Sequence, residues 1–368
     1  MSDLQKEIQG MFDSFIEDEC QIKDQKPKMI LPSGIQVLDT ILGGGITTGS
    51  LTIFVGLPGS GKTTLSGNIL GNVQKIYNGK SISLFMDSET SMSTKRLSEL
   101  GVVNPMIKVR PAQSIEKVYE IIEATTKYLD DKKNAKLKEE EVPVTIVWDS
   151  IANTPTNKDL ETDDVNQTIG LKARILSGLL PKLVAKLSNY NIALIAINQL
   201  RDLVQIGMFS TGGDLKYLRG GKDMPGGNAL KFNAYHIVSL RERSALDKNV
   251  YGFSGAIIEA LCVKNKLFSP NIPVNLVLNY TSGFSNFWTN YMFLKDRKLL
   301  VGGAWSYLKE YKEYKWQGTK NVVKLYNEKP EFREAFDKTV NKALEDFRKE
   351  YDVYLLKNEP EENNSFEF

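Results

Sequence analysis

The sequence predicts an α/β fold in which a mostly parallel central sheet carries added antiparallel strands, with a helix before it and a small helical unit after it. Three observations predict it. An apolar run, Leu51 to Val55, passes through a glycine-rich turn into Lys62-Thr63-Thr64. Further apolar runs close in acidic or amide residues, at Asp87-Ser88-Glu89, Asp149-Ser150 and Asn198-Gln199. Helix-periodic stretches separate those runs, which is the alternation that builds parallel strands through crossovers.

The first run is the most specific. LTIFVGLPGSGKTTLSGN places G-x-x-x-x-G-K-T between a strand and a helix, the context a phosphate-binding loop requires. Gly56, Gly59 and Gly61 let the backbone curl, so that successive amides of the loop Leu57-Pro58-Gly59-Ser60-Gly61 (Pro58 itself has none) and the helix start through Thr64 turn toward an anion. Lys62 is placed to reach the β- and γ-phosphates, and the Thr63 hydroxyl to bind Mg2+. A bare glycine turn that merely starts a helix is the competing reading.

Composition sets the bounds. The chain has 368 residues, enough for one large core and a smaller appended unit. Its 47 Lys and Arg against 45 Asp and Glu leave a formal charge of +2, so any nucleic-acid site must come from local placement. Cys20 and Cys262 lie far apart and His236 is the one histidine, which excludes a disulfide framework and a Cys/His zinc site within one chain. His236 sits in the apolar stretch FNAYHIVSL and reads as a core residue. With no basic apolar leader and no run long enough to span a bilayer, the expectation is a cytoplasmic protein without a membrane partner.

The chain then reads in order. Leu4, Ile8, Met11, Phe12, Phe15 and Ile16 give residues 2 to 19 an amphipathic helix, followed by a polar linker to Pro27; the helix either packs on its own core or is donated to a neighbouring copy. A short helix about Gln36 to Leu42 breaks at Gly43 to Gly45, and the phosphate-loop helix runs to about Tyr77. A strand from Ser81 to Met86 ends beside Glu89, a candidate to orient and deprotonate water, or else a helix-capping acid. A helix through Leu100, a strand near Ile107 to Val109 and a helix from Ser114 to Leu129 follow, then the solvated charged stretch Lys127 to Glu141. The strand Val142 to Trp148 ends in Asp149, where a carboxylate holds magnesium, usually through water. A polar segment, Asn153 to Ile169, leads to a helix from Gly170 to about Ser188 that tolerates Pro181, and the strand Ile192 to Ile197 closes at Asn198-Gln199.

Nearly thirty glycine-rich residues come next, a length at which a loop in a compact core is usually functional or disordered. Arg201, Lys216, Arg219 and Lys222 outnumber Asp202, Asp214 and Asp223, while Ile206, Met208 and Phe209 supply apolar wedges, a composition suited to gripping a nucleic-acid backbone and unstacking bases. Three strands about Tyr235 to Leu240, Ile257 to Lys264 and Val274 to Asn279 read as antiparallel, the second closing in Lys264-Asn265-Lys266. Residues from Phe287 to Val353 read as the small helical unit, and the acidic NEPEENNSFEF as a disordered tail. The expected organisation is therefore 1–27 helix and linker, 28–285 core, 286–357 C-terminal unit and 358–368 tail.

The order of these features, with GGNALKF at Gly226 to Phe232 and the later KNK, resembles the RecA family of DNA strand-exchange proteins over about residues 30 to 283. The resemblance implies a RecA-like P-loop ATPase core, with ATP and Mg2+ held by Lys62, Thr63 and Asp149, water activated by Glu89, and the γ-phosphate sensed by Gln199. It implies that Lys264 and Lys266 reach a neighbouring copy's ATP. It implies two DNA loops: one about 154–169, beside Gly170, Arg174 and Ser177, and one about 200–228, where Gly226, Gly227 and Asn228 offer amides to phosphates. Arg241 and Arg243 resemble positions near a secondary DNA site. The partners implied are single-stranded DNA, homologous duplex DNA, further copies in a helical filament, and single-strand-binding and loader proteins.

Departures from the family pattern are Arg96, where an aromatic residue often meets the adenine, Pro181 in place of a basic residue, a longer second loop and a short N-terminal segment. They place the chain nearer a divergent, phage-type (UvsX-like) branch than a typical bacterial one. Two other readings stay open on sequence alone: a ring-forming helicase or RadA/KaiC-like ATPase, and a non-catalytic ATP-binding filament or mediator protein.

Overall fold

The computed structural model describes residues 29–89, 92–103, 107–131, 142–162, 170–202 and 222–352. The expected N-terminal helix and linker, most of the charged stretch (132–141), Ile206, Met208, Phe209, Lys216, Arg219 and the acidic tail lie outside them.

Nine strands form the main sheet: β1 (Ser50–Gly56), β2 (Ile82–Asp87), β3 (Ile107–Pro111), β4 (Val144–Asp149), β5 (Ile192–Gln199), β6 (His236–Leu246), β7 (Gly255–Asn265), β8 (Pro273–Asn279) and β9 (Gly283–Phe284). Their order is β9-β8-β7-β6-β1-β5-β4-β2-β3. From β3 to β6 neighbouring strands run parallel, and from β6 to β9 antiparallel. Strands β1, β4 and β5 are apolar and buried along almost their whole length, as central parallel strands covered on both faces must be.

The alternation of each strand divides its side chains between two cores. On one face Phe54, Ile195 and Ile197 meet α1 (Gln36–Leu42) and α2 (Lys62–Ile76), through Leu38, Ile41, Leu65 and Ile69. On the other, Leu51, Ile53, Leu194 and Ile146 meet α4 (Ile115–Asp130), α6 (Leu171–Asn189) and α7 (Asn228–Asn233), through Val118, Leu176, Leu183 and Leu230. Between α2 and α4 lies α3 (Thr94–Glu99), and between α4 and α6 lies α5 (Asn157–Glu161). The first core continues into the C-terminal unit, where Trp288, Tyr291, Phe332 and Phe336 belong to the same apolar cluster as Leu38 and Ile41.

Three features differ from the sequence reading. Strand β6 continues past Leu240 to Leu246, because Arg241 to Ala245 is charged, exposed and without an apolar face, and only cross-strand pairing with β7 makes it a strand. The C-terminal unit contains, besides α8 (Asn286–Asp296), α9 (Asn321–Glu328) and α10 (Pro330–Tyr351), a three-stranded sheet of β10 (Leu300–Val301), β11 (Ser306–Leu308) and β12 (Tyr311–Trp316). Its YKEYKW segment mixes aromatic with charged residues out of strict alternation and so hides the signal. The segment after Asn153 begins packed: Thr154 and Thr156 are buried, Thr154 accepts from the Trp148 indole at 2.9 Å, and Thr156 caps α5. Of that expected loop, 163–169 lies outside the described residues. Among the described residues no helix is long and apolar enough to cross a membrane.

Candidate nucleotide and nucleic-acid site

The strand order brings the chemistry to one edge. Gly56 stands opposite Gln199, and Asp87 opposite Asp149, so β1, β5, β4 and β2 deliver their carboxyl ends side by side. Open α/β sheets bind ligands at that edge.

The phosphate loop folds tightly against β6. A Cβ on Gly56 would stand 2.4 Å from the Leu240 carbonyl, and Gly61, at φ +87°, would press one to 2.9 Å from the Phe284 ring. Leu57, Pro58 and Gly59 form the exposed rim, while Ser60 is buried. Helix α2 starts at Gly61 without a side-chain cap, so the amides of its first turn, through Thr63 and Thr64, are oriented for an anion. Lys62 Nζ donates to the carbonyls of Gly56 at 3.0 Å and Leu57 at 2.8 Å, and to Ser60 Oγ at 3.3 Å. Burial lowers the Lys62 pKa, with Asp149 and Glu89 opposing.

Thr63 Oγ1 donates to Asp149 Oδ2 at 2.6 Å. Burial pushes Asp149 up to about 6, against the Thr63 hydrogen bond and with Glu89 and Asp87 adding to the rise. A hydroxyl and a carboxylate in contact suit a hard cation that takes its remaining oxygens from phosphate and water, as Mg2+ does. A buried lysine and a buried aspartate, each disfavoured as a lone ion, are the charges that a phosphate and a divalent cation would stabilise. The residues fit Mg-ATP on these grounds.

Glu89 stands at the centre of a hydrogen-bond cluster. Its Oε1 accepts from Ser150 Oγ at 3.2 Å, from Gln199 Nε2 at 3.3 Å and from Asn153 Nδ2. Asp87 supports the turn below by accepting from the amides of Glu89 and Met92, each at 2.9 Å. The β4 exit is tied in as well, since Ser150 N donates to Ser88 Oγ at 2.9 Å; the Asp149–Ser150 peptide is cis. Helix α3 is capped by Ser93 and not by Glu89, which removes the capping reading. The sequence placed Asp87 and Ser150 at strand ends but gave neither them nor Asn153 a role at Glu89: Asn153 lies 64 positions from Glu89, and no local spacing aims one at the other.

Arg96 is held on α3 by Glu99 at 3.0 Å and by the Thr281 carbonyl at 2.5 Å, at the turn between β8 and β9 beside the half-exposed Tyr280. The structure thus places its guanidinium in an ion pair, held through Nη1 by in-plane hydrogen bonds.

The second set of residues surrounds the long loop. Arg201–Asp202 pairs antiparallel with Lys222–Asp223, so the segment after Gln199 leaves and returns through a two-stranded stem. Asn198 Nδ2 fastens the return by donating to the Pro225 carbonyl at 2.7 Å. Gly226, Gly227 and Asn228 then start α7 against α6, with Gly227 close to Ala173. Gly170 caps α6 from the left-handed region, and Arg174 and Ser177 lie exposed on the same helix as Ala173. The two groups of residues expected to flank DNA therefore meet.

At the opposite end of the sheet, Lys264 pairs with Ile237, which stands opposite Ile53, and β7 then carries Lys266 further from the phosphate loop. Lys264 Nζ donates to the carbonyls of Lys231 at 2.6 Å and Phe232 at 2.9 Å, at the last turn of α7. Burial lowers its pKa, and Lys266 adds to the shift. Lys266 Nζ lies 5.7 Å from the Tyr235 ring centroid. Neither lysine faces the phosphate loop of its own chain. Asn265 between them donates to the Ile41 carbonyl at 2.8 Å and fixes the turn to α1.

Comparison with known proteins decides the family. The model of the RecA N-terminal domain matches residues 18–285.

The chain belongs to the RecA family.

Protein RecA of Thermus aquaticus is 29% identical over 320 residues, 84% of this chain and 85% of that protein. Protein RecA of Nostoc punctiforme is 27% identical over 317 residues, 86% of this chain and 80% of that protein. Protein RecA of Helicobacter pylori strain Shi470 is 31% identical over 258 residues, 69% of this chain and 67% of that protein. At these identities the chain is a divergent RecA-family member, a RecA-like recombinase with the P-loop core of an ATPase family.

Proposed function

We propose that this protein polymerises on single-stranded DNA with ATP bound between adjacent copies, pairs that strand with homologous duplex, exchanges strands, and hydrolyses ATP to ADP and phosphate. One observation carries the reading. Gln199 touches Glu89, and Gln199 is also the residue from which the 200–228 segment departs. A change at the carboxylate and a change in the loop thus act on the same side chain.

Mg-ATP supplies a γ-phosphoryl group open to attack by water. Thr63 and Asp149 would hold the metal, and Lys62, which now donates to the loop carbonyls, would supply its ammonium to the phosphate oxygens. Glu89, aimed by Ser150, Asn153 and Gln199, takes the proton of the attacking water. Lys264 and Lys266, remote from their own chain's loop, serve the site of the next copy. There Lys264 gives up carbonyls at the end of α7, the helix that closes the second DNA loop, so nucleotide and loop compete for one ammonium group.

The test is ATP turnover with and without single-stranded DNA, together with negative-stain imaging on DNA and a non-hydrolysable ATP analogue. Helical filaments and DNA-stimulated turnover are expected. Turnover indifferent to DNA, with no filaments, would overturn the reading.

A further inference from the structure

Strand β1 ends opposite Leu240, so β6 continues beyond the phosphate loop as an exposed ribbon that carries Arg241 and Arg243. Both guanidiniums close on one carboxylate. Arg241 Nη2 lies 3.1 Å from Glu259 Oε1, and Arg243 Nη2 meets Glu259 Oε2. Glu259 is directly opposite Arg241 across β6 and β7. Its side chain is 10% exposed while each arginine is 46% exposed, so the carboxylate lies beneath the two cations.

The surroundings add no positive excess. Arg243 and Glu259 line a cleft of about 190 Å³ with Asn275, Asp296 and Arg297. Arg297 is itself paired through both terminal nitrogens with Glu350. Two guanidiniums and two carboxylates thus line this cleft, Arg241 adds a third cation on Glu259 and Glu350 a third anion on Arg297, and Glu242 lies exposed on the same strand as Arg243. Each phosphate that a protein neutralises contributes to affinity and to its salt dependence. Arginines already sharing an anion contribute less than their number suggests.

We infer that Glu259 is the restraint that sets how strongly the Arg241/Arg243 ribbon takes a second DNA strand. This rests on the reading that the ribbon faces DNA. A phosphate approaching the arginines competes with a carboxylate already within ion-pair distance, so the ribbon holds DNA weakly and releases it readily. The carboxylate touches neither the phosphate loop nor Glu89, and its removal leaves both intact.

The experiment uses the full chain assembled on an unlabelled oligonucleotide with a non-hydrolysable ATP analogue, and follows capture of a second, fluorescently labelled strand across a salt series. E259Q keeps the shape while removing the charge and one of the two acceptors, so that the carboxylate's hold on both arginines is broken. It is expected to tighten second-strand capture by about five-fold and to steepen the log–log salt slope by about one. Loading of the first strand stays unchanged, and E259N serves as a second neutral variant should E259Q not fold. R241A/R243A placed in the E259Q chain is expected to abolish the gain. Unchanged capture in the neutral variants, with loss in R241A/R243A, overturns the restraint while leaving DNA on the ribbon. No response to any of these variants overturns the ribbon as a DNA face and the inference with it.

Discussion

The two ends of the parallel sheet handle charge in opposite ways. At the carboxyl end, Lys62, Thr63, Glu89, Asp149 and Gln199 converge within one chain, and each has a partner from a different strand or loop. At the amino end, Lys264 and Lys266 stand together, the first on helix carbonyls and the second above an aromatic ring. Like charges so close are costly unless an anion comes to them, and burial has already weakened the hold of Lys264 on its proton. One end gathers its charges among groups of the same chain's phosphate loop and strand ends, and under the proposed function the other end's two cations are offered to a neighbouring copy. On that proposal a second copy brings both halves to one nucleotide.

The largest expected effect tests the carboxyl end alone. E89Q should lower ATP turnover by roughly 10²–10⁴-fold while nucleotide and DNA binding persist, measured by steady-state phosphate release and by anisotropy on a labelled oligonucleotide. Retained turnover would show that Glu89 is not the base, and absence of turnover in the unaltered chain would favour the scaffold reading.

The next test joins the ends. K62A and K264A/K266A should each fall by about 10²-fold or more, whereas a mixture of the two should recover a measurable fraction, because some boundaries then pair an intact loop with intact lysines. Additive inactivity in the mixture would mean that both halves act within one chain. Q199A should retain basal turnover and reduce its stimulation by single-stranded DNA by about 5-fold or more, read as the ratio of rates with and without DNA. Smallest is N153A, which removes one of the donors on Glu89 Oε1 and should cost turnover a few-fold with no change in DNA binding.

Much of this was legible in the chain because the relevant physics is local. The loop from Gly56 to Thr64 contains its own turn residues, anion donors and metal-binding hydroxyl, and the strand-ending Asp149 and Glu89 follow apolar runs that any reader would bury. The reading failed where the decisive partner is remote or the segment is charged on every side. RERS at 241 to 244 has no apolar periodicity, and its strand exists only by pairing with β7. Glu259 reads as an acid inside an apolar strand, and nothing in its neighbours announces two arginines above it.

By itself the sequence determined that this protein has a phosphate loop, a parallel sheet and a RecA-type order of strand ends, since each of those depends on residues within a few positions of one another. Only the tertiary structure decided that Gln199 meets Glu89, that Lys264 caps the helix closing the second loop, and that Glu259 pairs with both arginines of the ribbon. Those contacts follow from which strands lie side by side, and that order depends on burying both faces of the whole sheet at once.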